Sequence, residues 1–226
     1  MMASPVLGVL LHAIGGLAAA SFYLPYRKVR VWAWESYWLV GGFFSWIVAP
    51  ITGALMLNPD LRAVYASAPV ESNLLTYLFG VLWGVGGLTF GLTMRYLGLS
   101  LGYALALGFC AAFGTIIPPL FLGTFSELLQ NAAGLTVLGG VVVCLAGIAV
   151  CGLAGVRKER ELSDAQKTDA VREFNFLKGL WIAVLAGIMS ACMAFAFEAG
   201  RPILESAQTS GTPSTFCNTP VLVVAL

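Results

Sequence analysis

The stretch GLTMRYLGLSLGYALALG (residues 91–108) decides the fold, because it contains one arginine and no other charged side chain. It lies inside a run over 74–123 in which Arg95 is still the only charge. As a single α-helix that run would be about 75 Å long, more than twice the thickness of a bilayer core, so it must fold back. The turn is marked by three residues. Arg95 is a cation at a helix C-terminus, Tyr96 is an interfacial aromatic residue, and Gly98 is a turn residue. The stretch therefore predicts a hairpin of two transmembrane helices.

The composition of the whole chain indicates the same class of protein. Of 226 residues, 59% are hydrophobic and only 10% are charged. A soluble domain carries about a quarter charged residues, because its surface faces water. A polytopic membrane protein needs charges only in its loops, so we expect the lipid bilayer to surround this chain. The net charge of +1 argues against nucleic acid as a partner.

Hydropathy divides the chain into apolar segments of membrane-spanning length. A bilayer core needs about 20 residues of helix. The predicted fold is an all-α polytopic helix bundle in one transmembrane domain, residues 1–226. Its predicted helices cover about 4–24, 36–57, 74–95, 98–122, 135–155 and 177–199, with a partial helix at 219–226. The last of these has the length of the beginning of a seventh span. We therefore expect an N-terminal fragment that does not transport a substrate by itself.

The distribution of basic residues predicts the orientation. The loops after the first, third and fifth spans, with their flanks, carry ten Lys and Arg, whereas the other loops carry two, Arg62 and Arg201. The positive-inside rule places the first set in the cytoplasm and the N-terminus in the periplasm. The segment 156–175 is the one long hydrophilic connector, and its mixed charges are typical of a solvated loop.

The residues that enzymes and metal sites need are sparse. The chain has one histidine and no CxxC motif, so we expect no metal, no organic cofactor and no catalytic residues. The five cysteines are scattered, and four of them lie within apolar segments: Cys110, Cys144, Cys151 and Cys192. They are interpreted as small packing residues.

Two long strings carry a resemblance to a known family. SFYLPYRKVRVWAWESYWLVGG (21–42), preceded by HAIGGLAAA (12–20), resembles the N-terminal region of the bacterial L-rhamnose–proton symporter family, which belongs to the drug/metabolite transporter superfamily. GLTMRYLGLSLG (91–102) is similar to the hairpin between that family's third and fourth helices. The resemblance extends to about Pro213.

The resemblance implies ten helices in two five-helix repeats, of which this chain holds the first. It also implies uptake of L-rhamnose with protons across the bacterial inner membrane, the proton being the coupling ion. The alternative is another small-metabolite permease or exporter of the same superfamily. The sequence leaves the oligomeric state open.

Sugar sites place aromatic faces against C–H groups and polar side chains against hydroxyls, and the methyl group of rhamnose suits a largely apolar pocket. The candidate lining residues are Tyr23, Trp46, Tyr77, Trp83, Thr89 and Tyr103. The three tyrosines have an alternative role as interfacial anchors, and Trp83 has one in interhelical packing.

The candidates for proton coupling are His12 and Glu198. His12 lies near the middle of the first span, and histidine has an ordinary pKa of about 6.5. The alternatives are a hydrogen bond from a neutral His12 to a neighbouring helix and a local ion pair between Glu198 and Arg201. We expect Glu35 and Arg95 to be structural charges, the former because a carboxylate favours the first turn of a helix.

Overall fold

The computed structural model describes residues 5–22, 24–29, 31–161 and 174–226. Throughout these residues, helix is the only regular secondary structure. The chain forms two compact units, residues 1–44 and residues 45–226.

The first unit contains α1 (Pro5–Ser21), a short 3₁₀ helix (Leu24–Lys28) and α2 (Trp34–Gly42). Aromatic contacts join the 3₁₀ helix to α2. The ring of Tyr26 stacks on Tyr37 at 5.1 Å between centroids and lies tilted against Trp38 at 6.5 Å. Trp38 is buried in consequence. The side chains of α1 are largely exposed, which suits a helix whose surroundings are hydrocarbon.

A π-helical turn (Phe43–Val48) follows α2 along the chain, and the second unit begins at Ser45. The remaining helices of that unit are α3 (Ala49–Leu57), α4 (Leu61–Ser67), α5 (Val70–Leu97), α6 (Leu99–Phe121), α7 (Phe125–Gln130), α8 (Ala132–Glu161), α9 (Phe176–Ser190), α10 (Cys192–Ala199), α11 (Arg201–Thr209) and α12 (Thr219–Ala225). A 3₁₀ turn (Ser214–Phe216) precedes α12. The long helix α5 is central to the unit, because it packs against α6, α9, α10 and α12.

Within the described residues, six helices are long and apolar enough to cross a membrane. The predicted all-α polytopic bundle is therefore confirmed. The predicted bounds were too short for two spans. α5 begins at Val70 rather than 74, because Glu71 in its first turn is polar, yet favoured there by the helix dipole. α8 runs on to Glu161 through charged residues that hydropathy assigned to the loop.

The hairpin lies at the position predicted from Arg95, between the end of α5 at Leu97 and the start of α6 at Leu99. Arg95 is in the last turn of α5, and Gly98 adopts a φ of 77° that favours glycine. The Gly98 N–H donates to the carbonyl of Met94 at 2.9 Å, and the Gly98 carbonyl accepts from Gly102 N–H at 2.9 Å. The helices meet closely at this turn because Gly102 leaves room for Met94.

Two clusters of buried side chains stabilise the second unit. The cap cluster, near the beginning of α5, consists of Val64, Ala68, Ile203, Ala207, Cys217 and Val221. The hairpin cluster, near the end of α5, consists of Leu97, Leu105, Ile148, Phe176 and Ala183. Because α5 runs between them, they lie toward opposite ends of this unit.

Candidate functional site

Two tryptophans from different helices meet in the second unit. Trp46 belongs to the π-helical turn and Trp83 lies at the middle of α5. Their rings meet edge to face, with 5.9 Å between centroids and 80° between planes. Gly87, one turn beyond Trp83, has no side chain, and a Cβ there would lie 3.5 Å from the Trp46 ring. The glycine therefore lets the indole of Trp46 lie against the backbone of α5.

A second aromatic pair continues along the same face of α5. Trp83, Gly87 and Phe90 follow one another at spacings of four and three residues, which places them on one side of a helix. Phe90 meets Tyr103 of α6 edge to face, with 5.5 Å between ring centroids. Trp46, Trp83, Phe90 and Tyr103 together form what we call the aromatic face. All four side chains are partly exposed.

Two of the membrane-spanning helices that flank α5 are irregular. The π-helical turn interrupts the second span at Trp46, and a turn at Ala191 separates α9 from α10 in the sixth. The Ala191 N–H lies 3.3 Å from the carbonyl of Gly187 and 3.2 Å from that of Ile188. Interruptions of this kind recur at functional sites in membrane helices.

The interruption at Ala191 brings polar groups against the middle of α5 and α6. The Cys110 thiol donates to the Ser190 hydroxyl at 3.2 Å. Gly86 gives α5 room beside this point, because a Cβ there would lie 3.0 Å from the Ser190 nitrogen. The middle of α5 thus has both an aromatic neighbour and a small polar neighbour.

The structure brings some of the predicted lining residues together and separates others. Trp46 and Trp83 are in contact, and Tyr103 lies on the same aromatic face. Tyr77 is 60% exposed near the beginning of α5. Thr89 is buried, and its hydroxyl donates to the carbonyls of Val85 and Gly86 in its own helix at 2.8 and 3.0 Å. Tyr23 lies outside the described residues. Contact of any of these residues with a substrate stays a prediction.

The candidate charges have distinct surroundings. His12 lies on α1 with an exposed side chain. Glu198 accepts a 2.5 Å hydrogen bond from Arg201 in an exposed ion pair, which is the local pairing considered as its alternative role. Glu35 is in the first turn of α2 and Arg95 in the last turn of α5, where the helix dipole favours each charge. Proton coupling by His12 or Glu198 stays a prediction.

Sequence reasoning missed Phe90 and the Cys110–Ser190 pair. The spacing of Trp83, Gly87 and Phe90 could have identified Phe90, since it places an aromatic residue two turns from Trp83 on the same face. The Cys110–Ser190 contact joins residues 80 positions apart, and no local pattern indicates it.

Comparison with known proteins gives the family. The family model described as "L-rhamnose-proton symport protein (RhaT)" matches residues 1–226. The chain belongs to this family. The family's description is that of a transport protein, and the resemblance found in the two N-terminal strings and the hairpin is confirmed. No solved structure matches the chain significantly.

Curated relatives of this chain bear a similar description. The L-rhamnose-proton symporter of Yersinia pestis bv. Antiqua (strain Antiqua) is 39% identical over 221 residues. That of Yersinia pseudotuberculosis serotype O:3 (strain YPIII) shows the same identity and coverage. The matched region is 98% of this chain and 63% of each relative.

Proposed function

We propose that this protein takes part in L-rhamnose uptake by proton symport across the bacterial inner membrane. The observation that carries the proposal is the family match over all 226 residues, together with relatives named as L-rhamnose-proton symporters. The six apolar helices provide the membrane setting that such an activity requires.

The aromatic face is the part of the structure whose chemistry suits this substrate. A 6-deoxy sugar presents C–H groups and a methyl group on an otherwise polar ring. Aromatic faces bind such apolar patches, while polar groups at the edge of the site fix the hydroxyls. We assign the apolar contact to Trp46 and Trp83, at the middle of their spans, where carriers of this general plan bind their substrates. The Ser190 hydroxyl, which lies beside Gly86 of α5, is a candidate for a polar contact from α9.

Binding of L-rhamnose tests this assignment. In protein produced from the complete gene and purified in detergent, we expect Trp46→Ala and Trp83→Ala to weaken binding at least tenfold. Trp181→Ala is the matched control, because Trp181 is 67% exposed on α9 and lies outside the aromatic face. Equal affinities in all three variants would contradict the assignment. Binding of other small metabolites but not L-rhamnose would favour a different permease of the superfamily.

The orientation belongs to the proposal as well. The ten-to-two distribution of basic residues favours a periplasmic N-terminus and cytoplasmic ends for the α5–α6 hairpin. Asn131 and Asn175 are both exposed and lie in loops predicted to face opposite sides. In intact cells, an impermeant thiol reagent should label Asn131→Cys and spare Asn175→Cys. The reverse pattern would contradict the orientation.

A further inference from the structure

A polar network centred on Asn58 closes one end of the second unit. The Asn58 side chain is 6% exposed. Its Nδ2 donates to the carbonyl of Ala54 at 2.7 Å and to Thr219 Oγ1 at 3.0 Å, and its Oδ1 accepts from Thr212 Oγ1 at 2.8 Å. One side chain thus joins the end of α3 to the start of α12 and to the loop before it.

Further hydrogen bonds cross the same end of the unit. The Tyr65 hydroxyl donates to the carbonyl of Pro220 at 2.9 Å. The Ser67 and Ser206 hydroxyls lie 2.5 Å apart and join α4 to α11. The Ser72 hydroxyl donates to the carbonyl of Ala199 at 2.5 Å, which satisfies one of the free carbonyls at the end of α10. The cap cluster lies with these bonds, between α4, α11 and α12.

The helices that form this end are too short to span a bilayer. α4 has 7 residues and α11 has 9, or about 10 and 14 Å, against a bilayer core of about 30 Å. They pack against each other and cover the ends of the long helices. Both helices lie outside the six segments long enough to span the membrane.

The Asn58 end of the second unit differs from the hairpin end in the hydrogen bonds that accompany its apolar cluster. The hairpin cluster and the cap cluster are both apolar, so opening either end would expose hydrocarbon side chains to water. At the Asn58 end, part of the closure consists of hydrogen bonds. Water can replace those bonds at a small net cost, because folding exchanges bonds to water for bonds within the protein. The closure of the Asn58 end therefore depends in part on a few polar side chains, which can exchange their partners for water and re-form.

We propose that the Asn58 network and the hydrogen bonds of Tyr65, Ser67 and Ser72 together form a latch that holds this end of the unit closed. Release of the latch opens the end to water during the transport cycle. The inference rests on the proposed transport function, because a carrier must open each end in turn. The latch joins residues 54–72 to residues 199–221. Its release separates α4 from α11 while the hairpin end stays closed.

Cys217 is a native reporter of this latch. Its side chain is 1% exposed within the cap cluster, and its Sγ lies 3.4 Å from the carbonyl of Thr212 and 3.3 Å from that of Pro213. Cys151 packs against the hairpin cluster and reports the other end. Two versions of the protein, each keeping one of these cysteines with the other four replaced by alanine, allow the two ends to be followed separately.

The first test is the rate at which a water-soluble maleimide labels each cysteine in proteoliposomes. We expect Asn58→Ala to raise the Cys217 rate at least tenfold, or about 1.4 kcal/mol in the opening equilibrium. Thr212→Val, which removes one of the three side-chain bonds of Asn58, should raise it less. Asn131→Ala is the matched control, because Asn131 bonds only locally, to Glu127 and Gly134, and should leave the rate unchanged.

Two results of this test would contradict the proposed latch. One is an Asn58→Ala variant whose Cys217 rate equals that of the parent. The other is a rise at Cys151 equal to that at Cys217, which would mean general unfolding.

The second test locks the latch. Ser67→Cys with Ser206→Cys, in a background without native cysteines, should form a disulfide between α4 and α11. We expect oxidation to reduce L-rhamnose uptake to background and reduction to restore it. Undiminished uptake by the cross-linked protein would overturn the latch. Failure of the reduced protein and of the cysteine-containing parent to take up L-rhamnose would instead refute the proposed function, and the labelling test would still decide the latch.

Discussion

Gly187 fixes the distance between α9 and α6, and its replacement by alanine gives a prediction that can be worked from the structure. A Cβ at residue 187 would lie 2.6 Å from the Cβ of Phe109 and 2.8 Å from its carbonyl carbon. Carbon atoms in contact prefer about 3.5–4.0 Å, so the helices must separate by about 1 Å. The backbone of Phe109 cannot rotate away as the end of a flexible side chain could.

The expected change in the stability of the Gly187→Ala variant is the sum of two opposing effects. Overpacking of a well-packed interior costs about 1–3 kcal/mol. Replacing glycine by alanine within a helix contributes about 1 kcal/mol of stability. Gly139→Ala on α8 is the matched control, because a Cβ there meets nothing within 4 Å and only the favourable effect applies. The Gly187→Ala variant should therefore be less stable than the Gly139→Ala variant by about 1–3 kcal/mol.

Reversible unfolding in mixed micelles, followed by circular dichroism, measures this difference. The Cys110–Ser190 contact gives a second readout, since Cys110 adjoins Phe109 and Ser190 follows Gly187 by one turn. Separation of the helices should make the Cys110 thiol react faster with alkylating reagents. If Gly187→Ala is as stable as Gly139→Ala and its Cys110 reacts at the parent rate, the packing of α9 on α6 described above is wrong.

Three further predictions concern titratable groups. In the protein from the complete gene, His12→Gln should abolish concentrative L-rhamnose uptake and leave exchange measurable; a parental pH profile of accumulation would exclude His12 as the coupling group. Glu198→Gln removes an exposed ion pair, so it should lower the free energy of unfolding by at most about 1 kcal/mol. It should leave proton coupling unchanged, and loss of coupling in an uptake assay would contradict this. Burial raises the pKa of Tyr65 from 10.0 to about 12. Because the folded protein then holds the hydroxyl proton more tightly than the unfolded chain, the contribution of Tyr65 to the free energy of unfolding is complete below pH 10 and is lost as the pH rises toward 12. Tyr65→Phe should remove that part of the pH dependence of unfolding, and an unchanged profile would show that another group causes it.

The features predicted correctly from the sequence are those that the surrounding bilayer imposes. The α5–α6 hairpin followed from one arginine and a glycine in a long apolar run, because a bilayer limits the length of a helix. The six spans followed from the same constraint. The short helices α4 and α11 were missed, since neither is long enough or apolar enough to give a hydropathy signal.

The features that depend on tertiary contact were predicted only in part. Trp46 and Trp83 were chosen as aromatic residues within spans, but their contact depends on a π-helical turn that no residue type marks. Thr89 was chosen for its depth, yet its hydroxyl bonds to its own helix, as threonine in a helix commonly does. Asn58 was not singled out, because its partners lie 154 and 161 residues away.

The measurement that tests the central claim most directly is the pH of a lightly buffered, de-energised suspension of cells producing the protein from its complete gene. If L-rhamnose enters with protons, adding L-rhamnose must make the medium more alkaline. A protonophore should abolish the change, and a sugar that does not compete with L-rhamnose for uptake should produce none. L-Rhamnose entry without alkalinisation would contradict proton symport, and absence of L-rhamnose entry would contradict the proposed substrate.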